Sequence, residues 1–290
     1  MTTGAHVHVT VWDDTATGER DGRDSRETPA PPALFVHGVL SWGTDDRYGF
    51  GAQRPLAAHR RLLMMDRRGF GGSPDTPDGR SDYEVDARDI VAVLDRHGGG
   101  HLVGHSYGGV AAMLAAGRRP DLVRSLALIQ PGAMRPAERH PVVAEMLARG
   151  RAAAGHDGAP PEMTPEEFIR ASTEGLGLPV PEMTPERLRA ARTSMRERPC
   201  WDAEIPLEPL RDAPWPTLII TGTWENAPEA YRRYAGEPLM AAAAVIAEDI
   251  GADLLRVPGY YPQVDQPARV NEALQALWHK ADAATPAAAS

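Results

Sequence analysis

Short apolar runs separated by polar, turn-rich segments recur along most of the chain. A short apolar run bounded by Gly, Pro or Asp is typical of a buried strand, and strict alternation of apolar and polar residues is typical of a half-exposed one. Alternation predicts a half-exposed strand at the N-terminal end, and apolar runs predict buried strands further along. These segments lie at residues 7–11, 34–36, 62–65, 101–103, 125–130, 217–221 and 253–257.

Helical spacing appears between these runs. Tyr83, Ala87, Ile90 and Leu94 recur at intervals of three and four residues, which predicts an amphipathic helix, and residues 108–117 predict another. Strands that alternate with helices favour a mostly parallel sheet covered on both faces. The sequence therefore predicts the α/β class.

Residues 133–212 interrupt this alternation and are rich in Ala, Arg, Glu and Pro. The hexapeptide Pro-Glu-Met-Thr-Pro-Glu occurs at 161–166 and again at 181–186. In each copy Thr suits the helix N-cap, Pro the first helical position and Glu the positive end of the helix, so we interpret both as helix starts. We predict a core formed by 1–132 and 213–290 with a helical insertion at 133–212.

Composition narrows the class of protein. The chain has 290 residues, of which 42% are hydrophobic, as expected for a globular domain. The net charge of −9 argues against a broad nucleic-acid surface. Cys200 is the single cysteine, so an internal disulfide is excluded, and Lys280 is the single lysine among 31 basic residues. This preference for arginine indicates a high-GC genome, such as that of an actinobacterium.

Targeting signals are not evident in the sequence. The N-terminus lacks a basic segment followed by an apolar run, and the longest apolar run, at 239–247, is far too short to span a bilayer. We expect a cytoplasmic protein without membrane partners.

Residues 104–108 read Gly-His-Ser-Tyr-Gly and match the G-x-S-x-G nucleophile elbow. The motif follows a predicted strand and precedes a predicted helix, which is the context that the elbow requires. Its glycines permit a sharp turn, so Ser106 is expected to project above the sheet at a helix N-terminus, where the dipole favours negative charge.

A second element, His37-Gly38-Val39, follows the predicted strand at 34–36. The backbone N–H groups of Val39 and Tyr107 are candidates for an oxyanion hole, which stabilises charge that develops on a substrate oxygen. His37 itself has two interpretations: it orders this loop, or it transfers protons.

These residues resemble the α/β-hydrolase superfamily, in the branch with esterases, lactonases, thioesterases, haloperoxidase-like enzymes and epoxide hydrolases. The resemblance covers the His-Gly loop, the turn at 66–74, the elbow and the strands near both ends of the chain. It implies an α/β-hydrolase fold, a variable helical cap at 133–212 over the active site, and a catalytic triad in the chain order serine, acid, histidine. It also implies a small organic substrate.

In the superfamily the triad acid follows the penultimate strand in a Gly-x-x-acid turn. Here the predicted strand at 217–221 precedes Gly222-Thr223-Trp224-Glu225, so the resemblance assigns the acid position to Glu225. We expect Glu225 near Ser106, with a surface glutamate as the alternative.

The last triad position departs from the family pattern. Family members carry Gly-His after the final strand, then Pro and an acid-x-Pro helix start, and here the corresponding residues 259–267 place Tyr260 at the histidine position. No histidine lies between His156 and His279, so a shift of the loop cannot supply one. A phenol titrates near pH 10 and is a poor general base at pH 7, although it can donate a hydrogen bond to a substrate oxygen.

Three interpretations follow from the missing histidine. In the first, an enzyme of specialised metabolism uses Ser106, Tyr260 and the oxyanion hole to bind and polarise its substrate for non-hydrolytic or atypical chemistry, such as cyclisation, elimination or rearrangement. In the second, a serine hydrolase or acyltransferase has a relocated base. In the third, the chain is a non-catalytic receptor that keeps the pocket. The candidates for a relocated base are His37, His105, His140 and His156.

Further residues are expected around the substrate. We assign substrate contacts to His37, Trp42, His105 and Trp224, with loop packing as an equal explanation for the aromatic residues. The histidines show no metal-ligand spacing and no phosphate-binding loop is present, so we expect no metal and no cofactor. The expected partner is a small molecule, and a homodimer is left open.

Overall fold

The computed structural model describes residues 6–15, 30–76, 79–153 and 163–284, and these contain one seven-stranded sheet with helices on both faces. The strands are β1 (Val9–Trp12), β2 (Ala33–Val36), β3 (Leu62–Met65), β4 (Gly100–His105), β5 (Val123–Ile129), β6 (Thr217–Gly222) and β7 (Asp253–Val257). The strand order is β1-β3-β2-β4-β5-β6-β7, in which β1 is antiparallel to β3 and the other neighbours are parallel. This confirms the predicted α/β class.

Helices connect the parallel strands, and short 3₁₀ segments such as Gly51–Ala58 fill some of the connections. A short helix, Glu229–Tyr231, leads directly into a π-helical turn, Arg232–Gly236, and then into a longer helix, Glu237–Ile250. The helices are α1 (Tyr83–Arg96), α2 (Tyr107–Arg118), α3 (Pro141–Ala153), α4 (Pro165–Ser172), α5 (Pro185–Ser194), α6 (Glu208–Arg211), α7 (Glu229–Tyr231), α8 (Glu237–Ile250), α9 (Pro262–Asp265) and α10 (Pro267–Ala284).

The sheet buries apolar side chains on both faces because successive residues of a strand point in opposite directions. Leu34 and Leu63 contribute to the core under α1, α2 and α8. Phe35 and Met64, one residue further along, contribute to the opposite core, where Trp278 of α10 packs edge-on against Phe35 with ring centroids 6.4 Å apart. The apolar strand runs of the sequence thus correspond to central strands that are covered on both sides.

The described part of 133–212 contains helices α3 to α6 and no strand. Helix α3 packs on α8 and places Leu147 in the main core. Helices α4 and α5 instead gather around a small separate cluster that includes Ile169 and Ala191. The division into core and cap at these boundaries stays a prediction.

Both copies of the repeated hexapeptide begin a helix. Thr164 caps α4 in a capping box, in which its side chain accepts from the N–H of Glu167 and the Glu167 side chain accepts from the N–H of Thr164. Thr184 caps α5 and accepts from the N–H of Arg187. The predicted helix starts are therefore confirmed, and residues 161–162 of the first copy lie outside the described residues.

Two buried ion pairs join the α5 region to the core loops. Arg187 of α5 donates both terminal nitrogens to the carboxylate of Asp45 at 2.8 Å, and both side chains are nearly inaccessible. Glu197, just after α5, accepts from Arg67 at 2.6 Å. The helices over the sheet are thus held in place by charged contacts as well as by apolar packing.

Candidate active site

Ser106 lies at the sharp turn between β4 and α2, as its motif predicts. Its backbone has φ 52° and ψ −116°, a strained conformation for a residue with a Cβ, and such strain concentrates at functional sites. Gly104 makes the turn feasible, since a Cβ there would lie 2.7 Å from the carbonyl oxygen of Gly108. Ser106 therefore sits at the N-terminus of α2, where the helix dipole stabilises negative charge.

The loop at residues 37–39 lies directly against the elbow. A Cβ on Gly38 would lie 2.9 Å from the Cβ of Ser106 and 3.1 Å from Nδ1 of His105, so the close approach requires glycine. Val39 is exposed and lines the cavity above Ser106. Tyr107 is the first residue of α2, where a backbone N–H has no intrahelical acceptor. The predicted oxyanion hole of Val39 and Tyr107 is compatible with this placement.

His37 is buried beneath this loop and uses both ring nitrogens there. Its Nδ1 lies 2.8 Å from the carbonyl oxygen of Gly38, and its Nε2 accepts from the backbone N–H of Arg67 at 3.0 Å. Burial, reinforced by the charge of Arg67, lowers the pKa of His37 well below its usual value. These contacts favour a role in ordering the loop, and His37 is not among the residues that line the cavity.

A cavity of about 590 Å³ opens above Ser106, a volume typical of small-molecule sites. Its walls come from the core loops, from α4 and α5 and from the segment between β6 and α8, and they are mostly apolar or aromatic. The apolar side chains include Leu40, Tyr48, Phe168, Leu176, Tyr231 and Leu239. The cavity thus suits a molecule that is largely apolar.

Glu197 is a further residue on the cavity wall, and it carries a carboxyl group. Its side chain is 6% exposed, accepts from Nη2 of Arg67 at 2.6 Å and is hydrogen-bonded to the hydroxyl of Ser194. Burial raises the pKa of Glu197 to about 7, although the charge of Arg67 opposes the shift. Among the described residues that line the cavity, Glu197 carries the only carboxyl group.

Arg67 lies behind this wall and is fully buried. Its guanidinium group stacks 4.2 Å from the ring of Tyr107, pairs with Asp86 at 3.0 Å and with Glu197, and donates to the carbonyl oxygen of Gly38 at 3.0 Å. Burial alone would lower the pKa of Arg67, but the negative charges of Glu197 and Asp86 together have a larger effect and raise that pKa above its usual value. One guanidinium therefore pairs with two buried carboxyl groups and binds the loop at residues 37–39 through Gly38.

Glu225 follows β6 as predicted, but its side chain is exposed and is not among those that line the cavity. Its carboxylate accepts from the backbone N–H of Gly259 at 3.3 Å and from the hydroxyl of Thr223. These contacts support a role in holding the turn at 259 in place, and the assignment of Glu225 as the triad acid stays a prediction.

Tyr260 is half-buried and is not among the residues that line the cavity either. Its ring packs against Trp224 and Tyr231, each at a centroid distance of 5.9 Å, and its backbone N–H donates to Asp265 at 2.8 Å. The next residue, Tyr261, lines the cavity instead, with its hydroxyl 3.0 Å from that of Tyr231. Aromatic packing, which an imidazole would satisfy less well, accounts for this placement.

Trp224 is fully buried and acts as a support for the surrounding loops. Its Nε1 donates to Oε1 of Gln130 at 2.9 Å, and Nε2 of Gln130 donates to the carbonyl oxygen of Tyr260 at 3.0 Å. Gln130 also lines the cavity, so one side chain joins the loop after β5, the turn after β6 and the loop after β7. Trp224 itself does not reach the cavity.

The remaining predicted residues are distributed as follows. Trp42 is half-buried under the guanidinium of Arg187, 4.6 Å from its ring, and does not line the cavity. His105 does line it, and burial lowers its pKa to about 4, which makes it a weak base. His140 is not on the cavity wall, and His156 lies outside the described residues.

Sequence analysis missed Arg67, Glu197 and Gln130. Gln130 could have been found, since it follows β5 at the carboxyl edge of the sheet, where ligand sites of α/β folds gather. Arg67 lies in the turn at 66–74, which indicates the family but does not predict that this arginine is buried. Glu197 lies in a charged stretch without any motif, so nothing local distinguishes it.

Metal ligands do not cluster in the part of the chain that the structure describes, which holds no group of three or more His, Cys, Asp or Glu side chains placed to bind an ion. Over the same residues, each helix is too short or too polar to cross a bilayer.

Comparisons with known proteins agree with this geometry. Lipase LipV of Mycobacterium tuberculosis is 29% identical over 244 residues, which cover 79% of this chain and 85% of the lipase. The sn-1-specific diacylglycerol lipase ABHD11 of Mus musculus is 36% identical over 102 residues, but this match covers only 34% of the chain and 32% of that lipase. The chain thus spans about a third of the length of several of its curated relatives.

Solved structures show the same fold over nearly the whole chain. A thermophilic esterase from Thermogutta terrifontis superposes with a TM-score of 0.57 at 25% identity and covers 95% of this chain and 93% of its own. NosK from Streptomyces actuosus gives a TM-score of 0.53 at 25% identity, covering 87% and 99%. The family model described as "Alpha/beta hydrolase family" matches residues 33–273. The chain therefore belongs to the alpha/beta hydrolase family.

Proposed function

We propose that the chain cleaves small, largely apolar esters through an acyl intermediate on Ser106, with a base other than the usual histidine. The observation that carries this proposal is the strained serine elbow at the floor of the 590 Å³ cavity. The cost of holding a non-glycine residue at φ 52° is of order 1–3 kcal/mol, and a binding pocket alone does not require it. The family's esterase and lipase members support the same reaction class.

Stabilisation of the oxyanion is the second support. Gly38 brings the 37–39 loop against Ser106, and α2 begins at Tyr107 with its N-terminus toward the same point. Backbone N–H groups held in this way are worth about 100- to 1,000-fold in rate for each donor in serine hydrolases. The site therefore retains a large share of the usual catalytic apparatus without a histidine.

The test is a series of p-nitrophenyl esters with two-, four- and eight-carbon acyl groups, followed by labelling with a fluorophosphonate. We expect slow turnover of the esters and a covalent label on Ser106, located by peptide mass spectrometry. Burial of each added methylene contributes about 0.8 kcal/mol, or roughly fourfold in kcat/KM, until the cavity is filled. Rates should therefore rise with chain length.

The matched control is Leu239→Trp, which narrows the cavity at a residue on its wall. This variant should lose activity on the eight-carbon ester and keep it on acetate. If Ser106 remained unlabelled and no ester were cleaved, the chain would be a receptor or a non-hydrolytic enzyme, and the proposal would be wrong.

A second candidate, the non-hydrolytic chemistry of cyclisation, elimination or rearrangement in specialised metabolism, is favoured by a specific pair of phenols. Tyr231 and Tyr261 line the cavity, and burial raises the pKa of Tyr231 to about 12 and that of Tyr261 well above its usual value. Both remain protonated at neutral pH and can donate a hydrogen bond to a substrate carbonyl. This candidate predicts that conversion does not need an acyl-Ser106 adduct.

A pair of phenylalanine variants tests which tyrosine contacts the substrate. Tyr261→Phe should lower kcat/KM for the esters about fivefold, the size of one lost hydrogen bond of about 1 kcal/mol. Tyr260→Phe should leave kcat/KM unchanged, because its ring packs on Trp224 outside the cavity wall. The opposite result would place the phenol of Tyr260 at the substrate.

A further inference from the structure

We propose that Glu197 is the proton acceptor and donor of the Ser106 cavity, in place of the triad histidine; this assignment rests on the proposed ester cleavage. Glu197 belongs to the segment after α5, far from Ser106 in sequence, yet both residues line the same cavity. The position differs from the one that the superfamily uses, and the exposed Glu225 does not compete for it.

The geometry holds the Glu197 carboxyl in a defined orientation. Arg67 binds Oε1 at 2.6 Å, and Arg67 is itself fixed by Asp86 and by the carbonyl oxygen of Gly38. The hydroxyl of Ser194 bonds to Glu197 and accepts from the backbone N–H of Leu40 at 3.0 Å. The carboxyl is therefore linked through Arg67 to Gly38 and through Ser194 to Leu40, in the loop that lies against Ser106.

Charge balance gives this carboxyl a proton to exchange. The buried cluster contains one cation, Arg67, and two acids, Asp86 and Glu197, so full ionisation would leave an uncompensated negative charge in a largely desolvated site. The two carboxyl groups therefore keep one proton between them near neutral pH, and they titrate as a coupled pair. Burial raises the pKa of Asp86 to about 6 and that of Glu197 to about 7, in agreement with this count.

Other groups on the cavity wall and around the cluster are poorly matched to this task. His105 has a pKa near 4 and would accept a proton only weakly, whereas an effective base has a pKa near the working pH. Tyr107 and Cys200 also interact with Glu197, but burial raises both their pKa values, that of Cys200 to about 12. Both therefore stay neutral between pH 5 and 9. Within the cluster, Asp86 and Glu197 exchange protons in this range, while Arg67 keeps its positive charge.

The proposed step balances as follows. The Ser106 oxygen forms a bond to the ester carbonyl carbon while its proton passes to the Glu197 carboxylate. The bond from the carbonyl carbon to the alkoxy oxygen then breaks, and the Glu197 acid returns the proton to that oxygen, releasing an alcohol. Water repeats the sequence on the acyl-Ser106 ester, with Glu197 accepting the water proton and returning it to Ser106.

The experiment follows the rate of Ser106 labelling by the fluorophosphonate, and separately kcat/KM for the butyrate ester, from pH 5 to 9. The base must be ionised, so both rates should rise with pH to a plateau with a midpoint near 7. Glu197→Gln, which keeps an acceptor for Arg67, should lower both rates about 100-fold at pH 8, within the usual range for a general base, and flatten the profile. Glu197→Asp, which withdraws the carboxyl by one methylene, should show an intermediate loss.

Asp86→Asn is the matched control, because it bonds the same guanidinium but is not on the cavity wall. It should keep the plateau rate within a few-fold and move the midpoint to lower pH, since removal of a negative charge favours ionisation of Glu197. Equal plateau losses in Asp86→Asn and Glu197→Gln, with unchanged midpoints, would reduce Glu197 to a structural partner of Arg67.

The failure of this inference is distinct from failure of the proposed function. Wild type that is labelled on Ser106 and cleaves esters with a profile insensitive to Glu197→Gln would overturn the assignment of Glu197 and leave ester cleavage intact. Wild type that is neither labelled nor active would overturn ester cleavage and the Glu197 assignment together.

Discussion

Replacement of Ser106 by alanine is expected to lower kcat/KM for p-nitrophenyl butyrate by about 100- to 1,000-fold. Loss of the nucleophile from a complete triad costs on the order of a millionfold, but a carboxylate base and a cavity without a triad histidine start from a lower rate. The residual rate reflects substrate binding and the oxyanion donors, which alone give roughly a thousandfold over water. The variant keeps the fold because alanine at the elbow removes only a hydroxyl.

The measurement needs a control for adventitious esterase activity, which is a common contaminant at low rates. Ser172→Ala removes a different hydroxyl from a residue on the same cavity wall and should retain ester cleavage within about tenfold, since Ser172 takes no part in the proposed step. Purified Ser106→Ala protein that cleaves the ester as fast as wild type would show that Ser106 is not the nucleophile.

Arg67→Met is expected to be the most destabilising of these substitutions, with a loss of about 3–5 kcal/mol in the free energy of unfolding. The guanidinium is fully buried, and its removal leaves the carboxyl groups of Asp86 and Glu197 without a cation and the carbonyl oxygen of Gly38 without that donor. Methionine fills much of the volume but supplies none of these contacts. Urea denaturation at pH 8 measures the loss.

The free energy of unfolding lost in Arg67→Met should be smaller at lower pH, and the direction of this change follows from the pKa values of Asp86 and Glu197. Both carboxyl groups titrate above their unfolded values of 3.8 and 4.5 in the wild type, and without Arg67 the burial that raises them is unopposed. A carboxyl group whose pKa is higher in the folded state than in the unfolded state stabilises the fold at low pH. This contribution is lost as the pH rises through the folded-state pKa. The difference in free energy of unfolding between Arg67→Met and wild type should therefore decrease as the pH falls from 8 to 5.

Arg68→Met provides the comparison, because Arg68 adjoins Arg67 and pairs with Asp89 at the edge of the protein. Its side chain is 17% exposed, so solvent screens the pair and the expected cost is about 1 kcal/mol or less. Similar losses in the two variants would mean that the buried cluster around Arg67 contributes no more than a surface pair.

The sequence by itself determined the class of fold and the position of Ser106 at the turn between β4 and α2. Apolar runs with two-sided burial predict central parallel strands, and β2 to β6 have this character because each is covered by helices, whereas β7 is a partly exposed edge strand. Gly104 and Gly38 marked places where a Cβ cannot fit, so the elbow and the loop beside it could be read from residue types alone. Local sterics are short-ranged, and a local pattern therefore encodes them.

The tertiary structure alone decided which titratable groups share the cavity with Ser106. Glu225 and Tyr260 follow β6 and β7 where the family motif predicts them, but Glu225 is exposed, the ring of Tyr260 packs on Trp224, and neither residue lines the cavity. Glu197 does line the cavity and pairs with the buried Arg67. Burial and charge partners depend on contacts between residues distant in the chain, so no local pattern specifies them.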